Sequence, residues 1–188
     1  RFTTGIRAEY AQLPRAMVLI HSLSTASIAK LLAQRGRDAD PMDCYIAGLL
    51  HDFGKVVFAQ FMPKEFRLAL ETSLWEETAL HLNLAEIIGT DHAVVGAMLL
   101  ERWRFPPEFV EPIRHQLSPD QHDTAMMACV FAANQISKKL GFGHAGNPCV
   151  EELPPTIAKR LGGTLEALIA SLGDLKPVFE EAKKLAKI

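Results

Sequence analysis

The stretch that decides the fold is YIAGLLHDFGKVVFA, residues 45–59, which predicts a helix buried on nearly every side. Its polar side chains beyond the Tyr45 hydroxyl are His51, Asp52 and Lys55. Helices that are apolar all round normally lie in a core, where a carboxylate, an imidazole and an ammonium each need a partner. Asp52 beside His51 is typical of a divalent-metal site, and Lys55 follows one helical turn later, where it could meet an anion. A buried ion pair without a metal fits these residues equally well.

The chain on both sides of this stretch reads as one helix after another. Apolar residues recur at helical spacing, and prolines stand where several of the predicted helices begin. The predicted helices cover approximately residues 13–36, 41–61, 63–75, 84–88, 92–104, 107–117, 123–141, 155–161, 165–172 and 174–187. Because no run of alternating apolar and polar residues predicts a sheet, the expected fold class is all-α.

Composition divides the chain into three predicted parts. Residues 1–141 form a helical core, residues 142–155 a loop or linker, and residues 156–188 a C-terminal helical extension. The loop is set apart by its glycine, proline, asparagine and histidine. A length of 188 residues with 48% hydrophobic and 22% charged residues suits one globular domain with a small appendage.

Charge and cysteine usage exclude several classes of protein. A net charge of −2 gives no electrostatic footprint for nucleic acid, and no run approaches eighteen apolar residues, so no membrane span is expected. The cysteines, Cys44, Cys129 and Cys149, are widely spaced and predict neither a disulfide framework nor a thiolate zinc site. Cys44 and Cys129 have apolar neighbours and are expected in the core. A reducing, cytoplasmic location fits this pattern best.

The seven histidines fall into two groups. His21, His51, His92 and His115 lie in or at the edge of helices that are expected to pack around the 45–59 stretch. Histidines on several different helices favour a shared site over isolated core residues. The others, His81, His122 and His144, stand in polar or loop surroundings and are expected to be solvated.

Two segments carry a resemblance to a known family. His21-Ser22 and GLLHDFGK at 48–55 resemble the HD superfamily of metal-dependent phosphohydrolases. EIIGTDHAVVGA at 86–97, followed by Trp103 and Pro106, resembles the HDOD branch of that superfamily. The resemblance covers about residues 15–141 and implies an HD-domain-like helical bundle of the kind found in bacterial signalling and regulatory domains. HDOD domains usually carry further helices ahead of this part.

The resemblance also implies a set of metal ligands. His21 matches the first histidine of the superfamily, and His51 and Asp52 match its His-Asp pair. His92 matches a histidine that helps to hold a second metal in the HD-GYP cyclic-dinucleotide phosphodiesterases, which are related to HDOD domains. Asn134 stands where the superfamily has its last metal-binding aspartate. Imidazoles with few carboxylates suit one or two divalent transition-metal ions, such as Fe, Mn, Ni or Zn. A site without a metal is the other expectation.

The resemblance breaks at two positions. Asn134 offers a neutral carbonyl oxygen in place of a charged one, which weakens the binding of a hard cation. Relatives have a His-His pair shortly before a proline that matches Pro119. Counted back from Pro119, that pair falls on Gln116-Leu117, and His115 is offset by one residue. Because one residue turns a helix by about 100°, His115 is expected to point away from the site.

Three functions are compatible with these residues. The leading interpretation is an HDOD signalling domain, non-catalytic or weakly active, that works through protein partners and keeps a degenerate metal site or a site for a phosphate-bearing ligand. The alternative is a metal-dependent phosphohydrolase that acts on nucleotides or other phosphoesters, with Asp52 and Lys55 as its catalytic residues. The third is a structural module whose His-Asp-Lys cluster is a buried ion network.

Overall fold

The computed structural model describes residues 15–36, 38–121, 123–144, 146–147 and 149–187. Over these ranges it contains helices and no strand, which confirms the predicted all-α fold. The α-helices are α1 Arg15–Arg35, α2 Pro41–Leu50, α3 Phe53–Phe61, α4 Pro63–Glu76, α5 Leu80–Ile88, α6 His92–Arg102, α7 Pro107–Arg114, α8 Ala125–Lys139, α9 Pro155–Leu161, α10 Leu165–Leu172 and α11 Lys176–Leu185, with a 3₁₀ turn at Pro119–Gln121.

The prediction of a single helix over 41–61 is wrong, because the helix is interrupted at His51-Asp52, between α2 and α3. In a continuous helix the carbonyl of His51 would accept from the N–H of Lys55. Here the Lys55 N–H donates to the Asp52 carbonyl at 2.9 Å, and the side-chain amide of Gln116 donates to the His51 carbonyl at 2.6 Å. A side chain 65 positions away thus takes the place of one helical hydrogen bond and interrupts the helix at its two most polar residues.

Two other helix boundaries differ from the sequence prediction by more than two residues. The helix predicted over 84–88 begins earlier, at Leu80. The helix that begins at Pro107 ends at Arg114 rather than near residue 117, because residues 115–117 form a turn that carries the Gln116 side chain inward. Within residues 45–59 the side chains of Val56 and Ala59 are exposed and the others are buried or half-buried, so the predicted burial is correct except toward the end of α3.

The main core surrounds α1. Its buried apolar residues pack with residues of α2 and α8, and Cys44 and Cys129 lie in this core as predicted. The approach of α1 and α2 is close, since a Cβ added to Gly48 would lie 2.8 Å from the Cα of Ala26. Leu165 and Leu168 of α10 belong to the same cluster. Segments on both sides of the predicted 142–155 linker therefore share one core, and the domain boundaries themselves stay a prediction.

One described segment, Ala16–Arg35, is long and apolar enough to cross a membrane by length and composition, although the sequence analysis expected none. The segment is α1, and it packs against α2, α8 and α11. Its buried residues include the polar side chains of His21, Ser24 and Thr25. A helix at the centre of a protein core passes the same test of length and composition, and 56% of this window is buried.

Candidate metal centre and the adjoining groove

Asp52 is the centre of a buried cluster of polar side chains. Its Oδ1 lies 2.8 Å from Lys55 Nζ and 3.4 Å from His92 Nε2. Its Oδ2 lies 3.3 Å from His51 Nε2 and 3.8 Å from His21 Nε2. All five side chains are at most 5% exposed. The structure therefore brings together four of the five predicted ligand residues and the predicted Lys55, around a single carboxylate.

Asn134 completes the predicted set and approaches the same nitrogen of His21 that faces Asp52. Its Oδ1 lies 3.2 Å from His21 Nε2, and the side chain is half-buried on α8. One turn further along each helix, the hydroxyl of Thr25 donates to that of Ser137 at 3.0 Å. This second contact fixes the pairing of α1 with α8, so that Asn134 faces His21.

His92 reaches the cluster because α3 and α6 pack backbone against backbone. A Cβ added to Gly54 would lie 2.0 Å from the carbonyl oxygen of His92, a distance that no real Cβ could occupy. The side chain of Asp91 caps the first turn of α6 by accepting from the N–H groups of Ala93 and Val94 at 2.8 and 3.0 Å. Gly54 and Asp91 together place the imidazole of His92 against Asp52.

The protonation of His51 makes the cluster suited to a cation. Its Nδ1 donates to the carbonyl of Gly48 at 2.7 Å, which in the neutral imidazole leaves a lone pair on Nε2. That lone pair faces a carboxylate oxygen of Asp52 at 3.3 Å, and two acceptors at this distance repel each other unless a cation or a proton lies between them. Metal-binding histidines typically donate their other ring N–H to a backbone carbonyl in this way.

The donor atoms fit a divalent metal ion. One ligand atom each from His21, His51 and Asp52 lie within 4.8 Å of one another. Among the described residues, His51 Nε2 and both oxygens of Asp52 are buried without a hydrogen bond of good geometry. Lys55 approaches Asp52 at ion-pair distance but does not meet the angles of a hydrogen bond. Two imidazoles and one carboxylate form a donor set for transition metals.

Burial and neighbouring charges set the ionisation of the cluster. Burial lowers the pKa of His21 to about 3, with Asp52 opposing the shift. Burial, followed by the charge of Lys55, holds the pKa of His92 well below its usual value. Burial acts to raise the pKa of Asp52, but His51 and Lys55 outweigh it and the pKa lies well below its usual value. His21 and His92 are therefore neutral beside an ionised carboxylate, and these are the forms that bind a metal.

Gln116 lies where the family resemblance implies one histidine of a His-His pair, and His115 lies just before it. Gln116 is buried and donates to the carbonyls of His51 and Ile113 at 2.6 and 3.1 Å, so that it supports the site backbone instead of offering a ligand. The side chain of His115 is one third exposed, and its Nε2 lies 3.3 Å from the Oε2 of Glu111 on α7. The sequence had singled out position 116 as a missing ligand, but it had not predicted this supporting role.

The prediction that His81 and His144 are solvated is wrong. Both are half-buried, and burial lowers the pKa of each. The Nδ1 of His144 accepts from the backbone N–H of Gly146 at 3.0 Å, and the backbone N–H of His144 donates to the carbonyl of Met17 at 3.1 Å. The loop after α8 therefore packs on α1 at His144, which local composition could not reveal. His122 lies outside the described residues.

Lys138 is a further charged residue near the cluster that the sequence analysis missed. It follows Asn134 by four residues and so lies on the same face of α8. Its Nζ donates to the carbonyl of Cys149 at 3.2 Å. Burial, together with the charge of Lys55, lowers the pKa of Lys138 to about 8. The signal that could have identified it is the spacing Asn134-x-x-x-Lys138.

A groove of about 870 Å³ opens on the cluster, and we call it the α3 groove. Asp52 and Lys55 line one end of it. From there it follows α3, with α1 and α4 as side walls, and most of the side chains that line it are apolar. A ligand in the groove would reach the carboxylate and the ammonium at the centre of the cluster.

The sequence model of the HDOD domain family matches residues 7–119. The chain belongs to the HDOD family. The match includes His21, His51, Asp52 and His92, whereas Asn134 lies beyond it. An uncharacterized protein of Treponema pallidum (strain Nichols) is 33% identical over 96 residues, which are 48% of this chain and 18% of that protein.

Solved structures share the HDOD fold. An HDOD domain protein of unknown function from Geobacter sulfurreducens has a TM-score of 0.75 and 28% identity, over 93% of this chain and 62% of that one. A protein of Marinobacter aquaeolei VT8, provisionally named a signal transduction protein, has a TM-score of 0.74 and 22% identity, over 91% of this chain and 38% of that one. A protein of Shewanella amazonensis SB2B, provisionally named a phosphohydrolase, has a TM-score of 0.68 and 19% identity, over 97% of this chain and 65% of that one. The chain thus spans less than two thirds of these relatives.

Proposed function

We propose that this chain is a regulatory HDOD domain of a bacterial, cytoplasmic signalling protein, with a weakened metal site and little or no hydrolytic activity. Its output would pass through contacts with protein partners of a signalling pathway. The organisms of the similar proteins and the provisional name of the Marinobacter relative support the setting. The proposal of a metal site rests chiefly on one observation: His51 Nε2 and Asp52 Oδ2 lie 3.3 Å apart, both are buried, and neither has a hydrogen bond of good geometry.

The proposed ligands are His21, His51, Asp52 and Asn134, with His92 beside a second position. Asp52 is the only carboxylate among them, so the charge that attracts a divalent cation is small. Lys55, 2.8 Å from that carboxylate, offsets its charge further. A transition metal bound to the imidazoles is therefore expected in preference to Mg²⁺.

The weak activity follows from the same residues. A bound metal would supply Lewis-acid polarisation of a phosphoryl oxygen and an acidified water. Asn134 cannot take up a proton or balance a metal's charge as an aspartate could. Gln116 stands where the family resemblance implies a histidine, and its amide is already bonded to backbone carbonyls. Lys55 and the α3 groove remain, which supports binding of a phosphate-bearing ligand more strongly than its turnover.

The alternative function is a working metal-dependent phosphohydrolase for nucleotides or other phosphoesters, with Asp52 and Lys55 as the catalytic residues. The observation that favours it is the opening of the α3 groove onto both side chains. The provisional name of the Shewanella relative is consistent with it.

Hydrolysis assays separate the two functions. Nucleotides, cyclic dinucleotides and a generic phosphoester are incubated with wild type in added Mn²⁺, Ni²⁺ or Fe²⁺, and beside it with His51→Ala and Asp52→Ala. A regulatory domain gives wild-type rates close to those of both variants. Robust wild-type turnover that both variants lose would establish the phosphohydrolase and overturn the proposed function.

A further inference from the structure

The α3 groove has a polar end and an apolar length. Ser22, Asp52 and Lys55 stand at the polar end, beside the metal centre. From Asp52 to Gln60 the groove follows α3 for about 12 Å, at a rise of about 1.5 Å per residue. A cavity of about 870 Å³ is large enough for one small organic ligand and too small for a folded partner.

The walls of the groove suit a hydrocarbon. Val56 and Ala59 form the α3 side beyond the polar end, Leu19 stands on α1, and Phe66 stands on α4. A nucleoside in this position would need hydrogen-bond partners for its sugar and base. Between the polar end and Gln60, the side chains of α3 that line the groove offer only hydrocarbon surface.

The charges of the groove suit an anion. Lys55 and Arg67 are the cationic side chains among the residues that line it, and Asp52 is the one carboxylate. Lys55 stands at the polar end, and Arg67 is exposed on the α4 wall. With two cations and one anion, the lining carries a net positive charge even without a metal.

We propose that the α3 groove binds a single-chain anionic amphiphile, whose phosphate or carboxylate head lies at Lys55 and whose hydrocarbon chain follows α3. The inference rests on the proposed function in one respect, because the head group meets the same Asp52–Lys55 cluster. It adds an input to the regulatory domain, which responds to a small lipid-like metabolite rather than to a nucleotide. Binding is that of one dissolved molecule and does not require a membrane surface.

A chain-length series tests the proposal. Butyl, hexyl and octyl phosphate are titrated by calorimetry into metal-free protein in EDTA, below the concentrations at which they form micelles. Each methylene that enters the groove should tighten binding about three- to fourfold, and the gain should level off when the chain outgrows the groove. Alkyl carboxylates of equal length identify the preferred head group. Alkyl trimethylammonium salts of equal length should bind at least tenfold more weakly.

Variants separate the groove from other apolar surface. Val56→Asp puts a charge on the groove wall at a side chain that is 44% exposed, and should abolish the gain with chain length. Met98→Asp, at a side chain of α6 that is 57% exposed and outside the groove, should leave it unchanged. Lys55→Met should remove the preference for anionic heads, and the exposed Arg67→Met should reduce it without disturbing the buried cluster.

Three results would overturn the proposal. They are the absence of binding at every chain length, an equal chain-length dependence in wild type and Val56→Asp, and binding seen only with anionic phospholipid vesicles. The last result would indicate a membrane surface instead of a single amphiphile. Because these titrations contain no metal, they succeed or fail independently of metal binding and of phosphoester hydrolysis, so failure of this inference is distinguishable from failure of the proposed function.

Discussion

Replacing Asp52 with alanine should lower the free energy of unfolding by about 3–5 kcal/mol. The carboxylate is 2% exposed and lies 2.8 Å from Lys55 Nζ, whose side chain is 5% exposed. At this separation the attraction is about 6 kcal/mol for an effective dielectric constant of about 20. Removal of Asp52 leaves the ammonium of Lys55 buried and without this counter-charge, and that desolvated charge is the source of the loss.

The assay is urea unfolding in EDTA, so that metal binding does not contribute to stability. For an m value of about 2 kcal/mol/M, the midpoint of Asp52→Ala should fall by about 1.5–2.5 M. The double variant Asp52→Ala/Lys55→Met removes both charges and should recover most of the loss, because replacing both partners of a buried pair by apolar groups is often close to neutral.

A surface ion pair provides the control. Glu101 pairs with Arg114 at 2.6 Å, but the two side chains are 53% and 26% exposed. Glu101→Ala should therefore change stability by less than about 1 kcal/mol. If Asp52→Ala also stays within about 1 kcal/mol of wild type, Asp52 is not a buried charge in solution. If the double variant is no more stable than the single one, Lys55 is not the group that is left unpaired.

Three further predictions concern residues around the cluster. Burial lowers the pKa of Lys138 from its ordinary value of 10.5 to about 8. Between these pH values the unfolded chain holds a proton that the folded chain has released, so the free energy of unfolding of wild type should rise by at most about 3 kcal/mol from pH 8 to pH 10.5. Lys138→Met should lack this gain in urea unfolding. Gln116→Leu leaves the carbonyl of His51 without its donor and should cost about 1–3 kcal/mol in thermal or urea unfolding, whereas an unchanged midpoint would mean that water replaces the amide. Gly54→Ala would place a Cβ 2.0 Å from a backbone carbonyl of α6 and should cost more than about 3 kcal/mol of stability or prevent folding. Gly36→Ala is the control and should be tolerated, because the nearest atom to its added Cβ is 3.9 Å away. If the two variants have equal expression and equal melting temperatures, the close packing of α3 and α6 is contradicted.

The helices could be predicted from the sequence wherever the signal was local. Pro41, Pro63, Pro107 and Pro155 each stand in the first turn of a helix, where a missing N–H is harmless. The break at His51 was not predictable in this way. It depends on a hydrogen bond from Gln116, which local periodicity does not contain.

The candidate site came from the family resemblance and not from spacing. Nothing in the positions of His21 and Asn134 alone indicates that they meet, yet the structure places them 3.2 Å apart. The errors at His81 and His144 have a physical cause, because the burial of a half-exposed side chain depends on tertiary packing that local composition does not contain. Whether the assembled residues bind a metal stays a prediction.

The affinity of the metal-free chain for Mn²⁺, measured by calorimetric titration of wild type and Asn134→Asp side by side, tests the weakened metal centre most directly. Asn134 supplies a neutral oxygen beside His21, so an aspartate there should tighten Mn²⁺ binding at least tenfold. His51→Ala should abolish binding in both backgrounds. Equal affinities in wild type and Asn134→Asp, or binding that survives His51→Ala, would contradict a metal centre built on His51 and Asp52 and weakened at position 134.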